Sequence, residues 1–419
     1  MAQLTDDCFA FSGPLLPIDE VERILSERVA PVEEIETVPL GQAYGRVMAR
    51  NVVAPISLPP FDNSAVDGYA VRAADLAGKD ETRLTVAGRV TAGRTTRGAL
   101  APGSAIRIFT GAPMPAGADT VFMQEDVRVE GESVLVPAGL AVGANRRLAG
   151  EDIAAGAVVL PAGRRLAAQH VALAAAVGLT ALPVRRRIRV AVLSTGDEIV
   201  EPGSQRRGAA LFDANRVLLA GLIAGLGAEV TDCGIVVDDP LAIERAIAAA
   251  AAKHDLVVTS GGVSTGEADH VRAAVEKIGR LVFWRVAVKP GRPVAMGVIG
   301  AGTAFVGLPG NPVAVFVTFA RVVRPLIARL AGAELTPLVP LPVRATFPHR
   351  KKKGRREYVR VALRRASDGI IEAVRHPQEG AGVITSLTET DGLVELMEDT
   401  TKIEPGASVG FLSYAALVT

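Results

Sequence analysis

DLVVTSGGVSTGEADH, residues 255–270, holds in one stretch the signals that decide the fold. Leu256-Val257-Val258-Thr259 reads as a short buried strand. It stops in a small-residue turn, Ser260 to Gly266, and Glu267 and Asp269 mark the polar start of a helix. Glycines admit positive φ and let a ligand come close to the backbone. A parallel strand that delivers a glycine loop to a helix N-terminus gathers free N–H groups and the helix dipole, which together make an anion site. The same residues serve equally well as a tight turn with no ligand, so the neighbouring segments must decide.

Those neighbours repeat the strand-then-helix order. Ile188 to Leu193 is a buried-strand run, followed by a glycine turn and a helix around Asp213 to Leu226. Strand Glu229 to Val237 precedes a helix start with Asp239 as N-cap and Pro240 at the first helical position. After the 256–259 strand come a helix over 269–278, strands Leu281 to Val288 and Ala304 to Val306, and a helix from Pro312. Strands alternating with helices predict a doubly wound, mostly parallel α/β sheet. Ligands of such sheets sit at the carboxyl ends of the strands, where the 260–266 turn lies.

The rest of the chain differs in character. Ile18, Val21, Ile24, Leu25 and Val29 fall at helical spacing between Pro17 and Pro31. A weaker helical pattern spans Gly41 to Met48, and Val52 to Pro60 is extended. Residues 61–150 are glycine-rich with short alternating runs, such as Arg83-Leu84-Thr85-Val86 and Ala105 to Phe109, and predict a β-rich module. Ala167 to Val177 returns to a helical pattern, so the β module reads as an insertion between two pieces of one domain. From about 335 onward, alternating segments such as 358–363 and 392–396 predict a small β-barrel or sandwich with no clear helix. Its basic run, His349 to Arg356, carries six Lys and Arg; it is either a solvated face or the wall of an anion site.

Composition narrows the function. A chain of 419 residues exceeds one core and predicts roughly two to four domains. With 46 basic against 45 acidic residues and 4% aromatics, neither the charge nor the stacking surface of a nucleic-acid binder is present. Cys8 and Cys233 are the only cysteines, which excludes a disulfide framework and a cysteine zinc site. The N-terminus has no hydrophobic signal core, and the apolar tract Val171 to Val184 is shorter than the ~20 residues of a membrane span. A cytoplasmic location is the expectation.

Several loops carry polar residues suited to chemistry. Ser194-Thr195-Gly196-Asp197-Glu198 follows the 188–193 strand, and Asp238-Asp239 follows the next. Carboxylates at strand ends are costly to bury without a cation or donors. Beside a glycine anion cradle they suit Mg²⁺ bridging to a phosphate, although Asp239 also reads as a plain cap. VKPGRP sets Lys289 and Arg292 on a Pro-Gly turn, a point charge and a fork for an oxyanion. In Leu308 to Val315, LPGNPVAV, Asn311 can cap and Pro312 can begin the helix. Within the β-rich region, PPFDNSAVDGYAV (59–71) clusters Asp62, Asn63, Ser64 and Asp67. Thr110 and Gly150-Glu151-Asp152 add a hydroxyl and more acid. No nucleophile–His pair stands out, which favours positioning and metal electrostatics over covalent catalysis.

FDNSAVDGYAV, RIFTGAPMPAGAD, GEDI, STGDE, DDP, SGGVSTGEADH, VKPGRPVAMG and GLPGNPV occur in this order. The series resembles the molybdopterin molybdenumtransferase family, related to the E domain of gephyrin, from about residue 17 to the C-terminus. The resemblance implies insertion of molybdate into adenylated molybdopterin, yielding molybdenum cofactor and AMP with Mg²⁺ as cofactor. It implies an elongated homodimer with its active site between subunits, and the molybdopterin adenylyltransferase of the preceding step as a partner.

By the same resemblance, residues 1–54 and 150–184 form a discontinuous N-terminal linker and dimerisation domain. Residues 55–149 form a β-rich inserted domain, 185–334 the molybdopterin-binding α/β domain, and 335–419 a C-terminal β-barrel domain. Carried over, Asp67, Thr110, Asp152, Glu198 and Asp269 are the catalytic candidates, with Glu198 and Asp269 also serving the metal. Ser260, Gly261, Gly262, Ser264, Gly266, Asp238, Asp239, Pro309 and Pro312 are expected at the substrate. Lys289, Arg292, Arg356 and Ser386 are expected at molybdate. Arg292 departs from the family's frequent KPGKP, and Val66 stands where many relatives have Met. The rival readings are the adenylyltransferase itself and a gephyrin-like scaffold; the 61–71 segment, the β insertion and the C-terminal β domain weigh against the first, and the want of a fused second module against the second.

Overall fold

The computed structural model describes residues 15–95, 98–262 and 270–418. Strand Leu256–Ser260 is buried at every position and lies inside a six-stranded sheet. Glu229–Val236, Arg189–Thr195, Leu256–Ser260 and Thr303–Leu308 run parallel, in that spatial order. Pro293–Ile299 and Gly279–Arg285 extend one edge as antiparallel strands.

Alternate residues of these strands enter two separate cores. Val190, Val192, Leu256 and Val258 pack with Leu219 and Ile223 of helix Asn215–Gly225. Ala191, Leu193 and Val257 pack on the other face with Ile243, Ile247, Val271 and Val275 of helices Pro240–Ala251 and His270–Ile278. A strand covered on both faces must be apolar throughout, which is why the 256–259 run shows no alternation. Burying each such side chain contributes about 1.5–3 kcal/mol.

Two expectations for this region change. Strand Pro293–Ile299 was not foreseen, because it opens on a proline and contains Gly297. Proline is tolerated at a strand's first residue, and a Cβ on Gly297 would lie 2.7 Å from the Arg280 carbonyl oxygen. The expected strand Leu281 to Val288 is two pieces. Gly279–Arg285 stays in the α/β sheet, while Val288–Lys289 leaves it and pairs in parallel with Arg356–Glu357.

Helix Ile18–Arg28 buries Ile18, Val21, Ile24 and Leu25 against the α/β layer. Strand Ile35–Pro39 pairs with Ala181–Arg185, and Val52–Val53 with Val158–Leu160, around a core of Val38, Met48, Leu160, Leu166 and Leu182. The helix expected over 41–48 is only a single tight turn, Leu40–Gln42. Gly45 takes positive φ there, and Val47 and Met48 find bridge partners in Arg165 and Val184 instead of a helix face.

Between these pieces, strands from Gly68 to Val136 build a six-stranded sheet. The C-terminal region settles as a barrel and not a sandwich. Arg356–Arg365 pairs with both Ile371–Arg375 and Gly392–Leu396, and the ring closes through Leu341–Ala345 and Ser408–Ser413. Two short helices, Thr385–Thr388 and Tyr414–Val418, were not expected. Among the described residues no helix is long and apolar enough to cross a membrane.

Candidate functional site

At the end of strand Leu256–Ser260 the backbone turns at Gly261 (φ 90°) and Gly262 (φ 66°). A Cβ on Gly261 would stand 2.5 Å from the Thr195 carbonyl oxygen, and one on Gly262 2.5 Å from Val271 Cγ2. The glycines therefore let the turn press against the end of the neighbouring strand. The Gly261 N–H donates to the Leu308 carbonyl at 3.1 Å. Asn215, which the sequence reading passed over, ties two loops together: its Nδ2 donates to Ser260 Oγ (3.0 Å) and to the Gly310 carbonyl (2.7 Å). The hydroxyls of Ser194, Thr195 and Thr259 are buried at this rim with no partner among the described residues. Ser264, Gly266 and Asp269 lie outside the described residues.

The carboxylates divide by task. Asp239 accepts from the Ala242 N–H at 2.8 Å, as an N-cap ahead of Pro240. Asp197 Oδ1 accepts from the Asp238 N–H at 3.0 Å, which draws the first two strand ends together. Glu198 folds back over Gly196, with Oε2 2.7 Å from where a Cβ would stand. Among the described residues no three metal-binding side chains converge. What the rim does offer is hard carboxylate oxygen, from Asp197, Glu198 and Asp238, beside unbonded hydroxyls.

Where this rim meets the barrel there is a cavity of about 360 Å³. Lys289, Pro290, Pro309 and Asn311 line it from the α/β side, and His349, Glu357, Arg360, Arg375 and His376 from the barrel. Strand pairing sets Lys289 directly opposite Glu357, and Lys289 Nζ donates to Glu357 Oε2 at 3.2 Å. Asn311 stands at the N-cap position ahead of Pro312, yet its side chain makes no capping bond and lines the cavity. Arg375 pairs with Glu379 at 2.6 Å and stacks over Phe347. His376 lies 3.0 Å from Glu389.

Arg360 is different. It is only 6% exposed, its Nη2 donates to the Gln378 carbonyl at 2.9 Å, and its Nε has no partner among the described residues. Burial pulls its basicity down, and Tyr414 and Glu379, acting through space without a hydrogen bond, oppose that only in part.

The other molybdate candidates sit elsewhere. Arg292 is exposed and is not among the residues that line the cavity. Arg356 is buried and donates to Glu398 (3.1 Å) and Asp19 (3.0 Å), with Glu395 at 3.7 Å. Burial opposes its charge, but Glu398, with Tyr358 and Glu395, more than compensates and holds it firmly protonated. Ser386 is fully buried and donates to the Val383 carbonyl at 2.5 Å. Alternation along strand Arg356–Arg365 places Arg356, Tyr358 and Arg360 on one side of the strand; Tyr358 and Arg360 line the cavity and Arg356 does not.

A second polar group forms on the inserted sheet. Asp67 Oδ1 accepts from both the N–H and the hydroxyl of Thr110, each at 2.8 Å. These two bonds, with Arg107 nearby, hold its carboxyl below the ordinary 3.8. Asp62 accepts from the Ala149 N–H at 2.8 Å, which links the 61–67 loop to the loop of Glu151 and Asp152. Asp152 is exposed, and its N–H donates to the Leu58 carbonyl at 3.1 Å. Asp67 and Thr110 thus form a bonded pair, and the 58–67 loop that carries Asp67 is tied by hydrogen bonds to the loop of Asp152. Among the described residues no hydrogen bond or ion pair joins this group to the strand-end rim.

Comparison with known proteins follows the same division. Residues 16–178 match the MoeA N-terminal region (domains I and II), residues 191–329 a probable molybdopterin binding domain, and residues 342–414 the MoeA C-terminal region (domain IV). The chain is 36% identical over 397 residues to the molybdopterin molybdenumtransferase of Haemophilus influenzae, covering 94% of this chain and 98% of that one. It is 35% identical over 410 residues to molybdopterin molybdenumtransferase 2 of Mycobacterium tuberculosis, with the same coverage. The crystal structure of the molybdopterin biosynthesis MoeA protein from Pyrococcus horikoshii OT3 superposes with a TM-score of 0.81 at 30% identity, covering 96% of this chain and all of that one.

Proposed function

The chain belongs to the molybdopterin molybdenumtransferase family, and from that premise we propose that it inserts molybdate into adenylated molybdopterin and releases AMP, in the cytoplasm. It is a transferase of molybdenum cofactor biosynthesis. The observation that carries the finer reading is the cavity with Arg360 in its wall. A buried guanidinium that no carboxylate hydrogen-bonds, its charge offset only in part by Glu379 nearby, is costly until an anion joins it, and an oxyanion takes its fork well. Lys289 stands across the same cavity.

Magnesium fits this rim by the chemistry of its donors. Glu198, with Asp197 or Asp238, supplies the one or two carboxylates that Mg²⁺ uses alongside phosphates and water. When bound, the ion would offset the charge of the substrate's phosphates. The protein's own groups do the rest: they orient the adenylated pterin and hold the incoming oxyanion.

The Asp67–Thr110–Asp152 group requires a further element in the reading. We place it in the active site of a second copy, so that the working enzyme is a homodimer with its site between subunits. Large apolar side chains left on the surface, among them Tyr44, Phe61, Leu211 and Phe212, suit such a contact. The substrate must come from an adenylyltransferase. The test is AMP release from adenylated molybdopterin and Mg²⁺ with and without molybdate; absence of a molybdate-dependent signal contradicts the reading.

A further inference from the structure

Glu357 is 2% exposed, in the wall of the cavity. Its Oε2 accepts from Lys289 Nζ at 3.2 Å and lies 3.1 Å from His349 Nε2; its Oε1 accepts from Arg355 Nε at 2.8 Å. A carboxylate only accepts, so His349 donates from Nε2. Three donors on three segments of chain thus converge on one buried carboxylate. The segments are the Val288–Lys289 strand that leaves the α/β sheet, the His349–Arg350 strand and the bend at Arg355 just ahead of Arg356–Arg365. Burial alone would push the carboxyl up, but the bonds from His349, Lys289 and Arg355 hold it below its ordinary value.

The way the donors are shared matters more than their number. Each cationic side chain gives Glu357 one N–H and keeps others. Lys289 retains two ammonium protons, and its side chain is 51% exposed. Arg355 uses its Nε, and its terminal Nη pair has no partner among the described residues. Without the carboxylate, two permanent cations would stand close together and repel, and a flexible lysine would have no fixed direction.

We infer that Glu357 is a positioning residue: it takes one N–H from each of Lys289, His349 and Arg355 and so fixes the direction in which Lys289 meets a tetrahedral oxyanion in the cavity. This rests on the reading of the cavity as the molybdate site. It works as the carboxylates behind a metal's histidine ligands do, acting through the group that makes the contact. A plain staple between the α/β sheet and the barrel would use the same bonds, so the test must separate the two roles.

Molybdate is titrated calorimetrically into the wild-type protein, Glu357→Gln, Lys289→Ala and the double variant, with thermal melting of each. Glu357→Gln should weaken molybdate binding about tenfold, as expected for losing a charged hydrogen-bond partner. In the Lys289→Ala background the same change should cost no more than about twofold, because contacting residues are not additive. Sulfate, a tetrahedral dianion of similar shape, should show the same coupling. If Glu357→Gln does not fold, Glu357→Asp keeps the charge on a shorter arm and should show a smaller loss with the same coupling. Wild-type binding that does not occur, binding unchanged in the variant, or losses that add in full would each overturn the assignment. Coupled binding without AMP release would leave Glu357 in place and refute the proposed reaction instead.

Discussion

Arg360 is buried beside the cavity and, among the described residues, hydrogen-bonds only to the Gln378 carbonyl, so the anion site turns on it. Replacing it with methionine should lower kcat/KM for molybdate about 10- to 100-fold, the value of a charge-assisted contact. Stability should hold or rise, since an apolar side chain of similar size replaces a buried charge. Unchanged kcat/KM in steady-state assays would remove Arg360 from the site. Asp67 supports a second prediction. Its carboxyl is held below the ordinary 3.8 by Thr110, so its stabilising effect is fully present above that value and is lost as pH falls through the lowered one. The melting difference between wild type and Asp67→Asn should therefore be constant from pH 7 to about pH 5 and shrink below about pH 4. A difference that grows on acidification would contradict the bonding seen here. The sequence marked Asp67 and Thr110 separately because residue type and turn density were enough to raise each. Arg356 enters as a molybdate candidate through the family resemblance alone; Arg360 has the same parity on the strand, and only tertiary contacts show that Asp19, Glu395 and Glu398 engage Arg356.

Among the elements, the strand and turn of 256–262 behave as their residue types require. Gly261 holds positive φ against the Thr195 carbonyl. Gly261→Ala should destabilise by about 1–3 kcal/mol, from backbone strain and the clash that displaces the turn; urea unfolding that matches wild type would show that the turn has room. Elements with strong local signals were legible: the apolar run of a two-sided strand, and the Asp239-Pro240 helix start. Others depended on partners distant in sequence. Pro293–Ile299 becomes a strand because Thr303–Leu308 and Gly279–Arg285 flank it, and its leading proline and internal glycine conceal that from local reading. Val47 and Met48 have the spacing of a helix, but the 158–185 segment captures them as bridge partners. Val288–Lys289 departs from its parent sheet for the barrel, and no local pattern announces that.

For the molecule as a whole, ordered motifs over nearly the full length carried the family and the broad order of sheets. The resemblance they carry implied a barrel for the last region, where strand alternation alone left barrel or sandwich open; the closing pair, Arg356–Arg365 with Gly392–Leu396, makes it a barrel. They could not show that, among the described residues, the Asp67 group and the Arg360 cavity lack a polar link within one chain. If two copies complete each site, coexpressed Asp67→Ala and Arg360→Ala chains should recover about a quarter of wild-type activity. Half the dimers would then be mixed, each with one intact site. No recovery in verified mixed dimers would place both groups in one subunit's site. The most direct test of the central claim is AMP formation by the purified wild-type protein, given adenylated molybdopterin and Mg²⁺, as molybdate is titrated. The proposed transfer predicts AMP that rises with molybdate and saturates in step with loss of the adenylated pterin. Adenylated pterin that stays intact at every molybdate concentration would contradict it.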